Sequence, residues 1–480
     1  MKVFPDIFLK GAADSRQKSI IAATQPIPPG FALELARGID ALSFDRLDAE
    51  VVSHARHLLL DLLGAALAGV DTAEAQAAVR AANVLSAEGG CCTIWGTVRR
   101  AVPGIAALVN GITAHARELD DFGGVDHSGA VVIPALLAAA EGVPVISGRT
   151  LLTALVAGYE TGRRVLDSVG GYRPHNHSDG FHSTGSCGSF AAAAAVAKAL
   201  SLNVEKTAWA LGLAGSFTGG TWAFNADGAM SKRYHAGRAA ETGITVACLA
   251  RSGLSGPAQI FEAEWGGFWR CYGRSAADPE ALLAGKFDGR ALLRSGIKPY
   301  AACRDIHSTL DIVLAARRQG LTAAEVVVVE IDCIPEMYQM VGNKSSPASR
   351  LEAQLSLAYS VAVALHCGRA FLGEYEAPLL NDPEVTRLAA LVKVRPDSTL
   401  PFDAEPLVAI HTADGRVLRG HVPHASGAWQ NPLPVEAIIE KFTTLATRAL
   451  PASQVEELRG MVLAVEDLED VRQLCRLLRR

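Results

Sequence analysis

Several large functional classes lose their usual signals in this sequence. No G-x-G-x-x-G turn opens a βαβ unit, no G-x-x-x-x-G-K-[ST] loop is present and no G-x-S-x-G elbow occurs, which removes the marks of nucleotide-dependent and serine-hydrolase chemistry. The nine cysteines form no C-x-x-C pair and lie mostly in apolar segments, so they read as reduced cytosolic thiols. The net charge of −5 gives no polyanion-binding signature, and no RNA- or DNA-binding motif is present, so nucleic acid is not an expected partner. Apolar runs such as 131–140 and 190–196 stop well short of the roughly 18 to 20 residues that cross a bilayer, so no membrane partner is expected. Residues 1–30 carry Lys2, Lys10, Arg16 and Lys18 without an adequate apolar core and cleavage site. They read as a loosely held N-terminal arm, and the expected location is cytoplasmic.

What is present is a long chain rich in small apolar residues. Its 480 residues allow two or more domains with sizeable cores. With 49% hydrophobic, 20% charged and only 6% aromatic residues, the composition predicts tightly packed, small-residue helices. Apolar positions recur at helical spacing over 31–39 and 46–70, where Leu58, Leu59, Leu62, Leu63 and Ala66 share a face and Gly64 and Gly69 permit close helix contact. The period continues through 74–87, 104–119, 130–141, 148–168, 185–200, 203–217 and 235–252, with 91–96 a short strand-like exception. Consecutive helices without intervening strands predict an all-α domain over 31–270. After it, the β-branched run 325–334 predicts a strand, 351–365 a helix, and 392–396 and 406–412 further strands. Asp414-Gly415 is a hairpin turn leading into 417–422. Residues 271–429 therefore form an α+β domain, and the helical period that returns at Pro434 lets 430–480 complete the first domain. The expected fold class is multi-domain, with a large all-α helical domain and a smaller α+β domain.

Four polar clusters punctuate this pattern. The first places His115, Glu118, Asp120, Asp121, Asp126, His127 and Ser128 close together in the chain. Like charges held close repel and shift one another's pKa, which a functional pocket needs and a surface loop does not. The plainer alternative is a polar inter-helix loop with one N-capping aspartate. Gly123 and Gly124 break the preceding helix, so His127 falls in a turn at a helix N-terminus, where exposed N–H groups favour an anion such as a substrate carboxylate. The second cluster holds His175, His177, Asp179 and His182. Its H-x-H-x4-H spacing matches no familiar metal set, so no metal is expected and His182 is read as an acid/base group or carboxylate ligand. In the third, Lys232 and His235 share one helix face while Arg233 points elsewhere, giving either an anion clamp or a solvated helix start. The fourth brings Lys298, Tyr300, Cys303, Arg304 and His307, of which Arg304 suits bidentate carboxylate recognition and Cys303 reads as a buried thiol. Together these residues suit the removal of an acidic C–H next to a carboxylate without a cofactor.

Taken in order, the motifs resemble the MmgE/PrpD family, which includes 2-methylcitrate dehydratase, cis-aconitate decarboxylase and iminodisuccinate epimerase. The resemblance covers nearly the whole chain after the arm: Leu58-Leu-Leu-Asp-Leu-Leu-Gly64, Asn110-Gly111 with the acidic loop to His127-Ser128, Phe181-His182, and Lys232-x-x-His235-x-Gly237. It continues with Lys298-Pro-Tyr-x-x-Cys-Arg-x-x-His307, Gln354-Leu-Ser-Leu-Ala-Tyr359 and Asn431-Pro432. It implies a helical domain containing both termini, an α+β domain resembling a lid, a pocket between them and a homodimer. By motif position it implies pocket roles for His127, His182 and Lys232, for Asp120 or Asp121 in the acidic loop, and for Lys298 at the lid entry. His235, Tyr300, Arg304 and His307 complete the candidates for holding substrate.

Two departures stand out. The acidic loop is shorter than in the dehydratases and decarboxylases, and Cys303-Arg304 stands where decarboxylase-like members carry a histidine. Both fit an epimerase-like or uncharacterised branch better than those specific activities. The expected function is a cofactor-independent lyase of the dehydratase type acting on a small di- or tricarboxylate. Epimerisation of an amino- or imino-dicarboxylate is the first alternative, and a non-catalytic carboxylate-binding protein the second.

Overall fold

The computed structural model describes residues 30–86, 90–142 and 145–480. Except for Gly30, the expected N-terminal arm lies outside the described residues.

Helices dominate the first half, including Phe31–Ala41, Ala49–Gly69, Ala73–Leu85, Pro103–His115, Ser128–Gly142, Gly148–Ser168, Gly188–Ala199, Val204–Ser216 and Ser231–Arg251. A short antiparallel pair, β1 (Cys92–Thr93) and β2 (Arg100–Ala101), accounts for the strand-like exception. Small side chains set how closely these helices pack. Along Gly188–Ala199 every side chain except Lys198 is buried. A Cβ on Gly111 would sit 2.8 Å from the Cα of Gly237, so Pro103–His115 and Ser231–Arg251 meet backbone to backbone. That contact brings the start of the second helix beside the chain leaving the first. The C-terminal helices Val435–Ala446, Ala452–Leu463 and Arg472–Leu477 add Phe442, Leu458 and Leu474 to the same hydrophobic core.

Ala49–Gly69 is long and apolar enough to cross a membrane, but 78% of its most apolar window is buried inside the protein. Its Asp61 pairs with Lys441 at 2.6 Å, and Lys441 also donates to the Leu119 carbonyl at 2.7 Å. Both features are those of a core helix carrying one compensated charge.

The smaller unit is built on a four-stranded sheet of β3 (Val326–Cys333), β4 (Val392–Pro396), β5 (Leu407–Thr412) and β6 (Val417–His421), in the order β4-β3-β5-β6. β3 runs parallel to β4 and antiparallel to β5, and β5 antiparallel to β6. Helices His307–Arg318 and Leu357–Cys367 help bury Val329, Ile331 and Ile410 in a second core, which Ala65, Ala68, Leu119 and Leu445 of the helical part also enter.

Two elements differ from the sequence expectation. The helix expected over 104–119 ends at His115, because Glu118 takes a left-handed backbone (φ 54°) that no helix continues. The helix expected over 351–365 is two, Arg350–Gln354 and Leu357–Cys367. Ser356 caps the second by accepting the Tyr359 N–H at 3.1 Å.

Candidate active site

The acidic loop turns inward immediately after His115. Arg117 leaves it outward, pairing with Asp71 at 2.6 Å and with Glu376, while Glu118 swings into the interior. Three cations from two other segments meet Glu118: Lys232 and Arg233 on one oxygen, and Lys298 on the other at 3.1 Å. Arg233 also donates to Gln354 Oε1 at 3.2 Å. Arg233 thus joins the cluster rather than pointing elsewhere: it is buried together with Lys232, while Ser231 and Tyr234 of the same turn face outward. Burial opposes ionisation of Glu118, but the cations hold its pKa well below the usual carboxylate range. At Lys298 desolvation lowers the pKa, but the carboxylates of Glu118 and Asp120 outweigh it and raise the pKa above the ordinary lysine value.

Beside this group the imidazoles gather. Asp120, buried, has Oδ2 3.0 Å from Nδ1 of both His115 and His127. Asp126, itself left-handed at φ 97°, has one oxygen, Oδ2, 3.5 Å from Nε2 of both His127 and His182. On its other side His182 Nδ1 lies 2.9 Å from His235 Nδ1. Desolvation dominates these rings: His115 is held well below its ordinary pKa, His182 is lowered to about 3 and His235 to about 4. Burial also opposes the charge on Asp120 and Asp126, yet the neighbouring imidazoles hold both well below the ordinary aspartate value. The Nε2 atoms of His115 and His182 have no partner at hydrogen-bond distance, that of His182 lying 3.5 Å from Asp126, so both face the interior open to a further contact.

The candidate residues therefore divide. His127, His182, Lys232, Asp120, Lys298 and His235 converge, joined by His115, Glu118, Asp126 and Arg233. Asp121 is adjacent but turned to structure, accepting the Gly129 N–H at 2.8 Å at the start of Ser128–Gly142. The anion expected at this helix N-terminus is thus the protein's own carboxylate. Burial and the charge on Asp120 push the Asp121 pKa up to about 7. In the segment that opens the smaller unit, Tyr300 O–H donates to Asp311 at 2.7 Å, Arg304 pairs with Glu405 and lies 5.6 Å over the Phe122 ring, and His307 Nε2 lies 3.1 Å from the Ala302 carbonyl. The loop and this segment are tied together by Phe122 and Gly296, whose backbones exchange hydrogen bonds of 3.1 and 2.8 Å. That tie delivers Lys298.

His115, His127 and His182 bring ring nitrogens within 4.8 Å of one another, the one grouping among the described residues with the donor types to close on a metal ion. Asp120 already engages two of the rings and the Lys232 charge bears on His182, so the arrangement favours proton transfer over ligation. Next to the cluster, a cavity of about 510 Å³ opens between the helical part (Asn176, His177, Trp222, Asn225) and the smaller unit (Gln339, Met340, Asn343, Lys344). Trp222 forms its inner wall and packs edge-on against His182, ring centroids 5.3 Å apart.

Sequence models of two domains match this chain: the MmgE/PrpD N-terminal domain over residues 33–280 and the MmgE/PrpD C-terminal domain over 300–467. The chain belongs to the MmgE/PrpD family. It is an enzyme of that family. Among family relatives, the cis-aconitate decarboxylase-like protein oryM of Aspergillus oryzae is 29% identical over 95% of this chain and 99% of its own length. A cis-aconitate decarboxylase of Aspergillus terreus is 28% identical over 98% of each chain. The human cis-aconitate decarboxylase is 29% identical over 92% of this chain and 93% of its own. The helix-rich N-terminal part and smaller α+β part are the architecture of this MmgE/PrpD chain.

Proposed function

We propose that this MmgE/PrpD enzyme is a cofactor-independent lyase acting on a small di- or tricarboxylate, with residues 271–429 serving as its lid. The observation that carries the reading is the pairing of three buried cations around the single carboxylate of Glu118 with an imidazole group that has unpartnered nitrogens. A substrate carboxylate entering beside Lys232 and Lys298 meets three cations whose one directly paired carboxylate is Glu118, with Asp120 and Asp126 acting on the lysines from the imidazole side. His127 or His182 then handles the proton at the carbon next to that carboxylate, and the lysines steady the enolate charge. Decarboxylation uses the same parts: the C–C bond to a carboxylate breaks, carbon dioxide leaves, and an imidazole protonates the carbon that keeps the electron pair. The activity of these relatives makes cis-aconitate the first acid to test. It also favours a lyase over the epimerase branch suggested by the short acidic loop and Cys303.

The test is turnover of citrate, methylcitrate, aconitate and aspartate-derived acids in deuterated water. A lyase forms alkene or carbon dioxide, and His127→Ala and His182→Ala each slow it by about 10²- to 10⁴-fold. Label washed into unconsumed substrate without an alkene product identifies an epimerase. Binding of one acid with no turnover of any, unchanged in both variants, identifies a carboxylate-binding protein.

A further inference from the structure

The imidazoles and carboxylates of the site form one series of close contacts, hydrogen-bonded at its two ends, with His127 Nδ1 in the middle also 3.2 Å from the Asp121 carbonyl. From the outside inward it runs His235, His182, Asp126, His127, Asp120, His115, with successive nitrogen and oxygen separations of 2.9, 3.5, 3.5, 3.0 and 3.0 Å. Each internal member uses different atoms or a shared carboxylate oxygen toward its two neighbours, as a proton relay requires. The two separations of 3.5 Å exceed the usual hydrogen-bond range of about 2.7 to 3.2 Å by a few tenths of an ångström, within reach of a small side-chain adjustment.

The inner members are enclosed, but His235 is partly exposed, beneath the 217–221 segment, with Gly220 close to its Nδ1. His182 and His235 face each other through Nδ1 atoms, so one hydrogen must be shared between them: two N–H groups would collide and two lone pairs would repel. The groups facing this pair are Asp126 and His127 from the acidic loop, His115 at the end of the helix before it, Lys232 from the same helix as His235, and the apolar rings of Trp222 and Phe224. Only His235 leads outward.

We propose that His235 is the outer, positioning end of a proton relay, sharing one hydrogen with His182 and exchanging the reaction's proton with solvent while the site is closed. This deepens the proposed lyase reading and rests on it. The balance is simple: a proton taken up at His235 moves its shared hydrogen onto His182, and His182 passes a proton inward, with no net change in the relay after each return.

Two variants of the full chain test it. His235→Asn keeps a hydrogen-bonding atom near Nδ1 but does not titrate, and His235→Ala leaves room that added imidazole can fill. In ligand-free protein labelled with ¹⁵N in its histidine rings, the Asn variant is expected to shift the His182 ring-nitrogen signals and their pH midpoint. Unchanged His182 signals overturn the shared hydrogen. In turnover of an accepted acid, both variants are expected to fall by about 100-fold with an altered pH profile, and imidazole to restore the Ala variant. Turnover within twofold of the parent at every pH overturns the relay. If the parent turns over none of the acids, the lyase reading fails instead, and the ring-nitrogen signals still decide the His182–His235 pair.

Discussion

The cluster around His182 and the segment that begins at Lys298 carry similar residue types, yet they use them differently. In the cluster, polar groups face one another across distant segments and leave the Nε2 atoms of His115 and His182 unpartnered. In the segment at Lys298, Tyr300 and Arg304 have side-chain partners within the smaller unit, Asp311 and Glu405, while His307 is held through Nε2 by the Ala302 carbonyl and leaves only its Nδ1 unpartnered. Only Lys298 crosses to Glu118. A basic or aromatic residue in a motif can thus serve the reaction or hold the frame that presents one neighbour to it. The deciding quantity is whether its polar atoms are already satisfied at home.

The largest way to break this contrast is at Glu118. Glu118→Gln removes the charge that compensates three buried cations while preserving shape, and is expected to lower stability by about 3 to 5 kcal/mol. Thermal unfolding measures it. An unchanged midpoint would mean that the cations are neutralised by something else, and the charge argument for substrate binding would fall with it.

A smaller effect is expected at Asp121, where the sign follows from burial. Its pKa, raised from the ordinary aspartate value to about 7, makes the folded state hold a proton that the unfolded chain has released. The stability it contributes is fully present below about pH 4 and is lost as pH rises through 7. Asp121→Asn should therefore gain stability relative to the parent as pH rises, by about 1.4 kcal/mol for each unit crossed inside that window. Denaturation of both proteins at pH 5, 6, 7 and 8 gives the difference, and a parallel pair of curves would place Asp121 as an ordinary ionised carboxylate.

Much of this architecture was legible because its signals are periodic. The β-branched run at 325–334 appears as Val326–Cys333, and 392–396 as Val392–Pro396. Convergence of the four clusters followed from the family resemblance more than from any one spacing. Other features had no periodic signal. Leu119 continues the apolar period past His115, so the helix read too long, while the left-handed turn at Glu118 depends on charges more than a hundred residues away. Arg233 was misplaced because an isolated helix has an outward face, and here that face meets Glu118 and Gln354. One hint was available: Asp61 inside Leu58-Leu-Leu-Asp-Leu-Leu-Gly64 is a charge in an apolar run, which has to find a buried partner, and finds Lys441.

The mildest expected effect, at Tyr300, separates the two regions most directly. Its hydroxyl donates to Asp311 Oδ1, and the other oxygen of that carboxylate accepts the Ser426 N–H at 2.7 Å, so the residue braces the segment that delivers Lys298. Tyr300→Phe deletes one hydrogen bond to a charged acceptor while Asp311 keeps its second partner, a loss of about 1 kcal/mol. Turnover should stay within about twofold of the parent, because the backbone tie between Phe122 and Gly296 still fixes where Lys298 emerges. A kcat/KM that fell tenfold with no change in thermal midpoint would instead put the Tyr300 hydroxyl on the substrate. The segment at Lys298 would then belong to the reacting groups, and the division drawn between the two regions would fail at its best-defined point.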